Sequence, residues 1–78
     1  MTAMNEFDSA VLTEDLVQHG LRAGDVGTVV MVHGGGAGYE VEFCTLAGDT
    51  IAVVTVHAAQ VRPAANLDIV HVRRRAAG

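Results

Sequence analysis

A cluster of glycines, Gly34 to Gly38, separates two short runs of strand-forming residues, and this arrangement is the strongest constraint on the fold. The run before it, Gly27 to His33, is rich in valine, and the run after it, Tyr39 to Cys44, alternates apolar residues with mostly acidic ones. Alternation with a period of two is typical of a strand with one buried and one solvated face. Glycine adopts the positive φ angles of tight turns without strain. The sequence therefore predicts a β-hairpin.

Further strand signals flank this hairpin. We predict a first strand at 9–13, a long irregular loop at 14–25, a further strand at 50–56, a one-turn 3₁₀ helix at 57–60 and a short edge strand that ends at Pro63. Together these elements predict an all-β fold, a small SH3-like barrel of about five antiparallel strands with a long first loop and one short 3₁₀ turn. The predicted domain bounds are 1–6 for an N-terminal extension, 7–63 for the barrel and 64–78 for a C-terminal extension with a disordered end.

The glycines are interpreted as turn residues and not as a phosphate-binding loop. Gly24 and Gly27 bracket the entry to the second strand, and the cluster from Gly34 to Gly38 supplies positive φ in the hairpin. A nucleotide-binding loop needs a GxGxxG or GKS/GKT motif followed by a helix, and the chain has neither motif here. The predicted turn glycines are Gly24, Gly27, Gly34, Gly35, Gly36 and Gly38, and no cofactor is expected.

Size and charge narrow the classes of function. The chain has 78 residues, enough for a single core, and a formal net charge of −4, which disfavours nucleic acid as a partner. No apolar run approaches the roughly 20 residues that span a bilayer, so no membrane partner is expected. The N-terminal segment lacks the basic start and apolar stretch of a signal peptide, and Cys44 is the single cysteine. A cytoplasmic location is the expectation.

Two quoted segments resemble a known family. They are "DSAVLTEDLVQHGLRAGDVGTVVMV" and "YEVEFCTLAGDTIAVVTVHAAQVRP", which together run from Asp8 to Pro63. The shared pattern is Asp-x-Val-x-Leu, an Asp-Leu and Gly-Leu loop, Gly-Asp-x-Gly-x-Val-Val, Tyr-Glu-Val-Glu-Phe and Val-Arg-Pro. Ala10 precedes the usual valine, which is a small departure. The chain resembles a family of short bacterial proteins catalogued as a domain of unknown function.

This resemblance implies an SH3-like fold without an established activity. Some members of the family are encoded beside toxin-like proteins, which implies a partner of the antitoxin or immunity type. The Gly-Asp-x-Gly-x-Val-Val segment is also similar to the ribosome-associated KOW motif and to the barrel of nitrile hydratase subunits and their activators. Likeness of fold does not carry function from one protein to another.

The residues that could carry chemistry do not form a recognisable site. The four histidines lie far apart in the sequence, and Cys44 has no CxxC companion, so no metal site is predicted. Glu40, Glu42 and Asp49 are interpreted as a solvated acidic stripe, because general acid–base catalysis needs two acids in contrasting environments within a cleft. We therefore predict no catalytic residue and no enzyme activity. The histidines are His19, His33, His57 and His71.

Apolar residues on both faces of two strands predict a second buried surface. A chain of this size covers one sheet face, so the other is expected to contact another chain, although the strand propensity of valine alone is a competing explanation. The tail at 64–72 is too apolar for a solvated linker and is expected to add a strand either to the barrel itself or to the edge of a neighbouring chain. The predicted interaction surface consists of Val30, Val32, Ala52, Val54, Val56, Leu67, Ile69, Val70 and Val72.

These features predict a non-catalytic protein-interaction module, acting as a homo-oligomer or as the small partner of a larger protein encoded by a neighbouring gene. The acidic charge would complement a basic partner. On this interpretation Val54→Lys abolishes assembly without unfolding the monomer. Two alternatives stay open: a KOW-like nucleic-acid or ribosome-binding module that uses Arg62 and the triplet from Arg73 to Arg75, and a metal-handling accessory protein.

Overall fold

The computed structural model describes residues 3–74 and contains five antiparallel strands and two 3₁₀ helices within that range. The strands are β1 (Ser9–Leu12), β2 (Val26–His33), β3 (Gly38–Cys44), β4 (Thr50–His57) and β5 (Val61–Pro63), and the 3₁₀ helices are Val17–His19 and Ala58–Gln60. The predicted all-β class is confirmed, and so is the 3₁₀ turn before the last strand. The long first loop contains a second 3₁₀ helix that we did not predict. Of the predicted disordered end, Arg73 to Gly78, the residues from Arg75 onward lie outside the described residues, as do Met1 and Thr2.

The strands form one sheet in the order β4-β3-β2-β1-β5. Consecutive strands pair from β1 to β4, and β5 returns to the free side of β1, where Leu12 lies opposite Val61. Among the described residues β4 and β5 each pair with one strand, so the sheet is open and not a closed barrel.

The core covers one face of this sheet. It is built from the alternating positions of β3, namely Tyr39, Val41 and Phe43, together with side chains of the neighbouring strands. Tyr39 also accepts a hydrogen bond at its hydroxyl from the backbone N–H of Met4, at 3.2 Å. Met4 is only 4% exposed, so the segment before the predicted barrel contributes a side chain to the core.

The register of β3 against β4 overturns part of the predicted interaction surface. Val54 lies opposite Val41, and Val56 lies opposite Tyr39. Residues directly opposite each other in an antiparallel pair place their side chains on the same face, so both valines point into the core. Their exposures are 8% and 3%. Ala52, opposite Phe43, is half-buried against the same core.

A β-bulge in β2 moves a second set of predicted surface residues. Val29 lies opposite Val41 and Met31 lies opposite Glu40, so Val30 is an extra residue without a partner of its own. The bulge reverses the alternation that follows it, and Val32 packs against the core whereas Met31 is half exposed. The predicted outer positions Val30 and Val32 are therefore both half-buried, and Met31 takes the outer position after the bulge.

Two of the predicted turn glycines have a different role. Gly24, Gly34, Gly35 and Gly36 have positive φ as expected, but Gly27 and Gly38 are strand residues without it. A Cβ atom at Gly27 would lie 2.5 Å from Val41 Cγ1 and 2.7 Å from the Glu42 carbonyl oxygen. Gly27 is required because β3 crosses close to its backbone, where no side chain fits.

Candidate functional site: an apolar groove under a C-terminal strap

The C-terminal residues 64–74, here called the strap, contain no helix or strand but are held against the domain at two points. The first point is next to β5, where Arg62 donates from Nη1 and Nη2 to the two carboxylate oxygens of Asp68, at 2.8 and 2.9 Å. Asp68 Oδ2 also accepts the backbone N–H of Ala65 at 2.6 Å. These bonds, led by that from Arg62, lower the pKa of Asp68 below its ordinary value.

The second point is Asp25, in the turn that leads into β2. Arg73 donates from Nε to Asp25 Oδ1 at 2.9 Å and from Nη2 to Oδ2 at 2.6 Å, a bidentate pair. Arg73 Nη2 also donates to the Gly20 carbonyl oxygen at 2.9 Å, and His71 Nε2 lies 3.3 Å from Asp25 Oδ1. Two side chains of the strap, Arg73 and His71, thus converge on one carboxylate, and Arg73 is also tied to the first loop at Gly20.

Local sequence prepares Asp25 for this role. Its Oδ2 accepts the backbone N–H of Arg22 at 2.9 Å, which closes a small turn, and Gly24 has a φ of 92°. Burial by itself would raise the pKa of Asp25, but the bond from Arg73, the bond from the Arg22 N–H and the nearby positive charges of Arg73 and His71 together lower it. Asp25 is therefore held in its ionised, hydrogen-bond-accepting form.

A groove of about 750 Å³ lies between the strap and the sheet. Its sheet side is mostly apolar, and its strap side carries Asp68, Ile69, Val72 and Arg73. The apolar side chains on the sheet side are Val11, Leu21, Val26, Phe43, Leu46 and Ile51.

The large apolar residues of the strap are exposed, although Ile69, Val70 and Val72 also line the groove. Leu67, Ile69, Val70 and Val72 are 96%, 92%, 84% and 77% exposed. The strap thus carries four large apolar side chains that the described part of the chain does not cover. These four predicted interaction residues are at the surface, whereas Val54 and Val56 are not.

Comparison with known proteins places the domain in a family. The family described as "Domain of unknown function (DUF4926)" matches residues 6–63, which contain all five strands. The chain belongs to the DUF4926 family. The match ends at Pro63, so the sheet side of the groove and Asp25 lie within the DUF4926 domain and the strap follows it. No curated protein and no solved structure matches the chain.

Two arginines proposed for nucleic-acid binding are engaged within the chain. Arg62 pairs with Asp68, and Arg73 pairs with Asp25, so the positive charge of each is offset by a neighbouring carboxylate. A phosphate contact by either would have to replace that pair. The third member of the triplet, Arg75, lies outside the described residues.

The other candidate residues are scattered on the DUF4926 domain. His33 Nε2 lies 3.1 Å from Glu40 Oε2, and Glu42 Oε2 accepts the hydroxyl of Thr50 at 2.9 Å. Cys44 is exposed, with Thr50 Oγ1 4.0 Å from its sulfur. Within residues 3–74 no three histidine, cysteine or acidic side chains come together as metal ligands, and no helix there is long and apolar enough to cross a membrane.

Sequence reasoning missed the residues that organise this site. Asp25 and Arg73 are separated by 48 positions, and neither belongs to a motif that predicts their contact. The turn chemistry of Gly24 and Asp25 was a readable signal, since a Gly-Asp pair often forms such turns. The partner of that carboxylate could be identified only from the fold.

Proposed function

We propose that the protein is a non-catalytic interaction module that binds an apolar segment of a basic partner protein through the groove and the strap. The observation that carries the proposal is the exposure of Leu67, Ile69, Val70 and Val72 on a segment that two ion-paired contacts hold in place. Four such side chains next to an apolar groove are characteristic of a surface that another chain covers.

Charge supports a basic partner. The chain has a formal net charge of −4, and Arg62 and Arg73 are paired with carboxylates within the chain. A partner with excess positive charge would be steered toward this protein, and its apolar segment would supply the contact area. The protein encoded by the neighbouring gene, with an antitoxin or immunity relationship, is the partner that we propose. An SH3-like assignment of the fold, supported by the strand order, belongs to the same proposal.

The strap supports this role because it is already ordered. A segment that is disordered before binding loses conformational entropy when it binds, which weakens the complex. The contacts at Asp68 and Asp25 hold 64–74 against the sheet before a partner arrives. The partner therefore meets a formed groove with an apolar rim.

The proposal is tested by measuring the affinity of the neighbouring-gene protein for three forms of the chain. The strap variant replaces Leu67, Ile69, Val70 and Val72 with serine, and these exposed positions should tolerate the change. The control variant replaces Phe7 and Met31 with serine; both are exposed apolar residues that do not line the groove. We expect the strap variant to bind at least tenfold more weakly, which is about 1.4 kcal/mol, and the control to bind like the wild type. Equal affinity for all three forms contradicts the proposal.

A further inference from the structure

The two edges of the sheet are built differently. β5 has three residues and ends in Pro63, and both features are common on strands that do not recruit another strand. β4 has eight residues, Thr50–His57, with no proline, lysine, arginine, aspartate or glutamate among them. Among the described residues β4 pairs only with β3, so its outer edge is unpaired. A bulge at Ile51 interrupts the start of the strand, and the part from Ala52 to His57 carries no charged residue or proline to oppose pairing.

The direction of the free backbone groups follows from the hydrogen bonds on the inner side. Ala58 donates its N–H to the Ala37 carbonyl oxygen at 3.1 Å, in line with the register that places His57 opposite Gly38. Hydrogen-bonded and non-hydrogen-bonded pairs alternate along an antiparallel ladder. The N–H and C=O groups of Val54 and Val56 therefore point to β3, and those of Val53 and Thr55 point to the open edge. The N–H of His57, at the end of the strand, donates to Gln60 Oε1 at 2.8 Å.

The outer face of the sheet is less suited to a second chain than the β4 edge, because acidic side chains interrupt its apolar residues. On that face, Glu40 lies between Met31 and Thr55, and Glu42 lies between Thr28 and Val53. This row of carboxylates separates the exposed apolar residues Met31 and Val53, so the face has no continuous apolar patch. The edge beyond Val53 and Thr55 carries no charge.

The open edge of β4 can pair with the same edge of a second copy of the chain. In an antiparallel pair of two β4 strands about a two-fold axis near Val54, Val53 of one chain lies opposite Thr55 of the other, and the core-facing Val54 residues meet on the same side. The nearest acidic rows, on the two β3 strands, are then three strand spacings apart, roughly 14 Å. That distance exceeds the Debye length of about 8 Å at physiological salt, so their repulsion is largely screened.

We propose that the β4 edge is an interface with a second copy of this chain, which joins two sheets into one continuous antiparallel sheet. Val53 and Thr55, at the centre of this contact, do not line the groove, and the exposed apolar residues of the strap take no part in it; only Ile51, at its end, also lines the groove. The backbone groups of the edge supply the hydrogen bonds, and the absence of charge lets identical strands approach.

The test compares the solution mass of the wild type with that of Val53→Lys/Thr55→Lys by light scattering over a series of concentrations. Lysine on an edge strand opposes pairing, and the two-fold arrangement places lysines of the two chains opposite each other. We expect a dimer for the wild type and a monomer for the variant. The matched control is Met31→Lys, a position 49% exposed on an inner strand, and it should remain a dimer. A monomeric wild type, or a lysine variant that remains a dimer, overturns the proposal.

Amide hydrogen exchange on the wild type provides a readout that does not depend on any variant. In a monomer the amides of Val54 and Val56 are bonded to β3 and exchange slowly, whereas those of Val53 and Thr55 exchange fast. Pairing of two β4 strands protects all four. If slow and fast exchange still alternate along β4 at a concentration where the protein is dimeric, the dimer contact lies elsewhere and the proposed β4 interface is wrong. The strap variant should stay dimeric, which separates this proposal from the proposed function.

Discussion

Arg73 donates hydrogen bonds from two nitrogens to the Asp25 carboxylate, at 2.9 and 2.6 Å, and thereby fixes the end of the strap to the turn that precedes β2. Asp25 is the point where the domain and the strap meet, because Arg22, His71 and Arg73 all approach its carboxylate. A residue inside the family match thus orders a segment that follows it.

Replacing Asp25 with asparagine should release the strap. The amide removes the negative charge and one of the two acceptor oxygens that Arg73 uses, so Arg73 becomes accessible to trypsin. We expect several-fold faster tryptic cleavage after Arg73 and Arg74, followed by mass spectrometry, with the sheet intact by circular dichroism. The control is Asp68→Asn, which weakens the other contact of the strap. It should raise the rate of cleavage after Arg73 and Arg74 less than Asp25→Asn does. Unchanged cleavage in Asp25→Asn would show that this ion pair does not hold the strap.

Acid should weaken the same contact. The pKa of Asp25 in the folded protein is lower than its ordinary value of 3.8, so the ionised form is favoured by folding. The resulting stabilisation is fully present above the ordinary value and is lost as the pH falls through the lower folded value. The difference in unfolding free energy between wild type and Asp25→Asn should therefore be constant at neutral pH and shrink on acidification. A difference that grows toward acid would contradict the assignment.

Adjacent valines on β4 should lose very different amounts of stability on the same substitution. Val54 is 8% exposed and Val53 is 53% exposed. Val54→Thr places a hydroxyl among apolar side chains and should lower the free energy of unfolding by about 1–3 kcal/mol, whereas Val53→Thr should change it by less than about 0.5 kcal/mol. Urea denaturation measures both. Equal effects at the two positions would mean that the face assignment of β4 is wrong.

Gly27 and Gly35 require glycine for two different reasons. At Gly27 a side chain has no space, and at Gly35 the backbone has a positive φ. Gly27→Ala forces a methyl group against Val41 and the Glu42 carbonyl and should cost about 3 kcal/mol or more. Gly35 has a φ of 67°, and a Cβ atom at this position would have no neighbour within 4 Å. Gly35→Ala should therefore lower the free energy of unfolding only by the left-handed backbone penalty, about 1 kcal/mol. Thermal unfolding of the two variants compares them directly, and a larger loss at Gly35 would contradict this account.

The strands could be predicted from local sequence because valine runs and glycine turns mark their ends. The predicted limits of the hairpin strands differ from the observed ones by about one residue, since alternation in Tyr39–Cys44 and the turn at Gly34–Gly36 are local properties. The predicted outward direction of Val54 and Val56 on β4 was wrong, because both faces of this strand are apolar in sequence. Only its register against Val41 shows that Val54 points inward.

The rest of the site depends on contacts that local patterns do not contain. The bulge at Val30 reverses the side-chain direction within one continuous valine-rich run, and no glycine or proline marks it. The Asp25–Arg73 pair joins positions that only the folded chain brings together. The expected consequence of Val54→Lys changes accordingly: a lysine at this core position should unfold the monomer and not merely prevent assembly.

The central claim, that the strap and groove form a binding surface for a partner protein, is tested most directly by the solution mass of the chain mixed with its neighbouring-gene product. We predict a stable complex by light scattering after size exclusion for the wild type, and no complex when Leu67, Ile69, Val70 and Val72 are replaced with serine. A wild-type chain whose mass does not change on mixing, or a serine variant that forms the same complex, would contradict the claim.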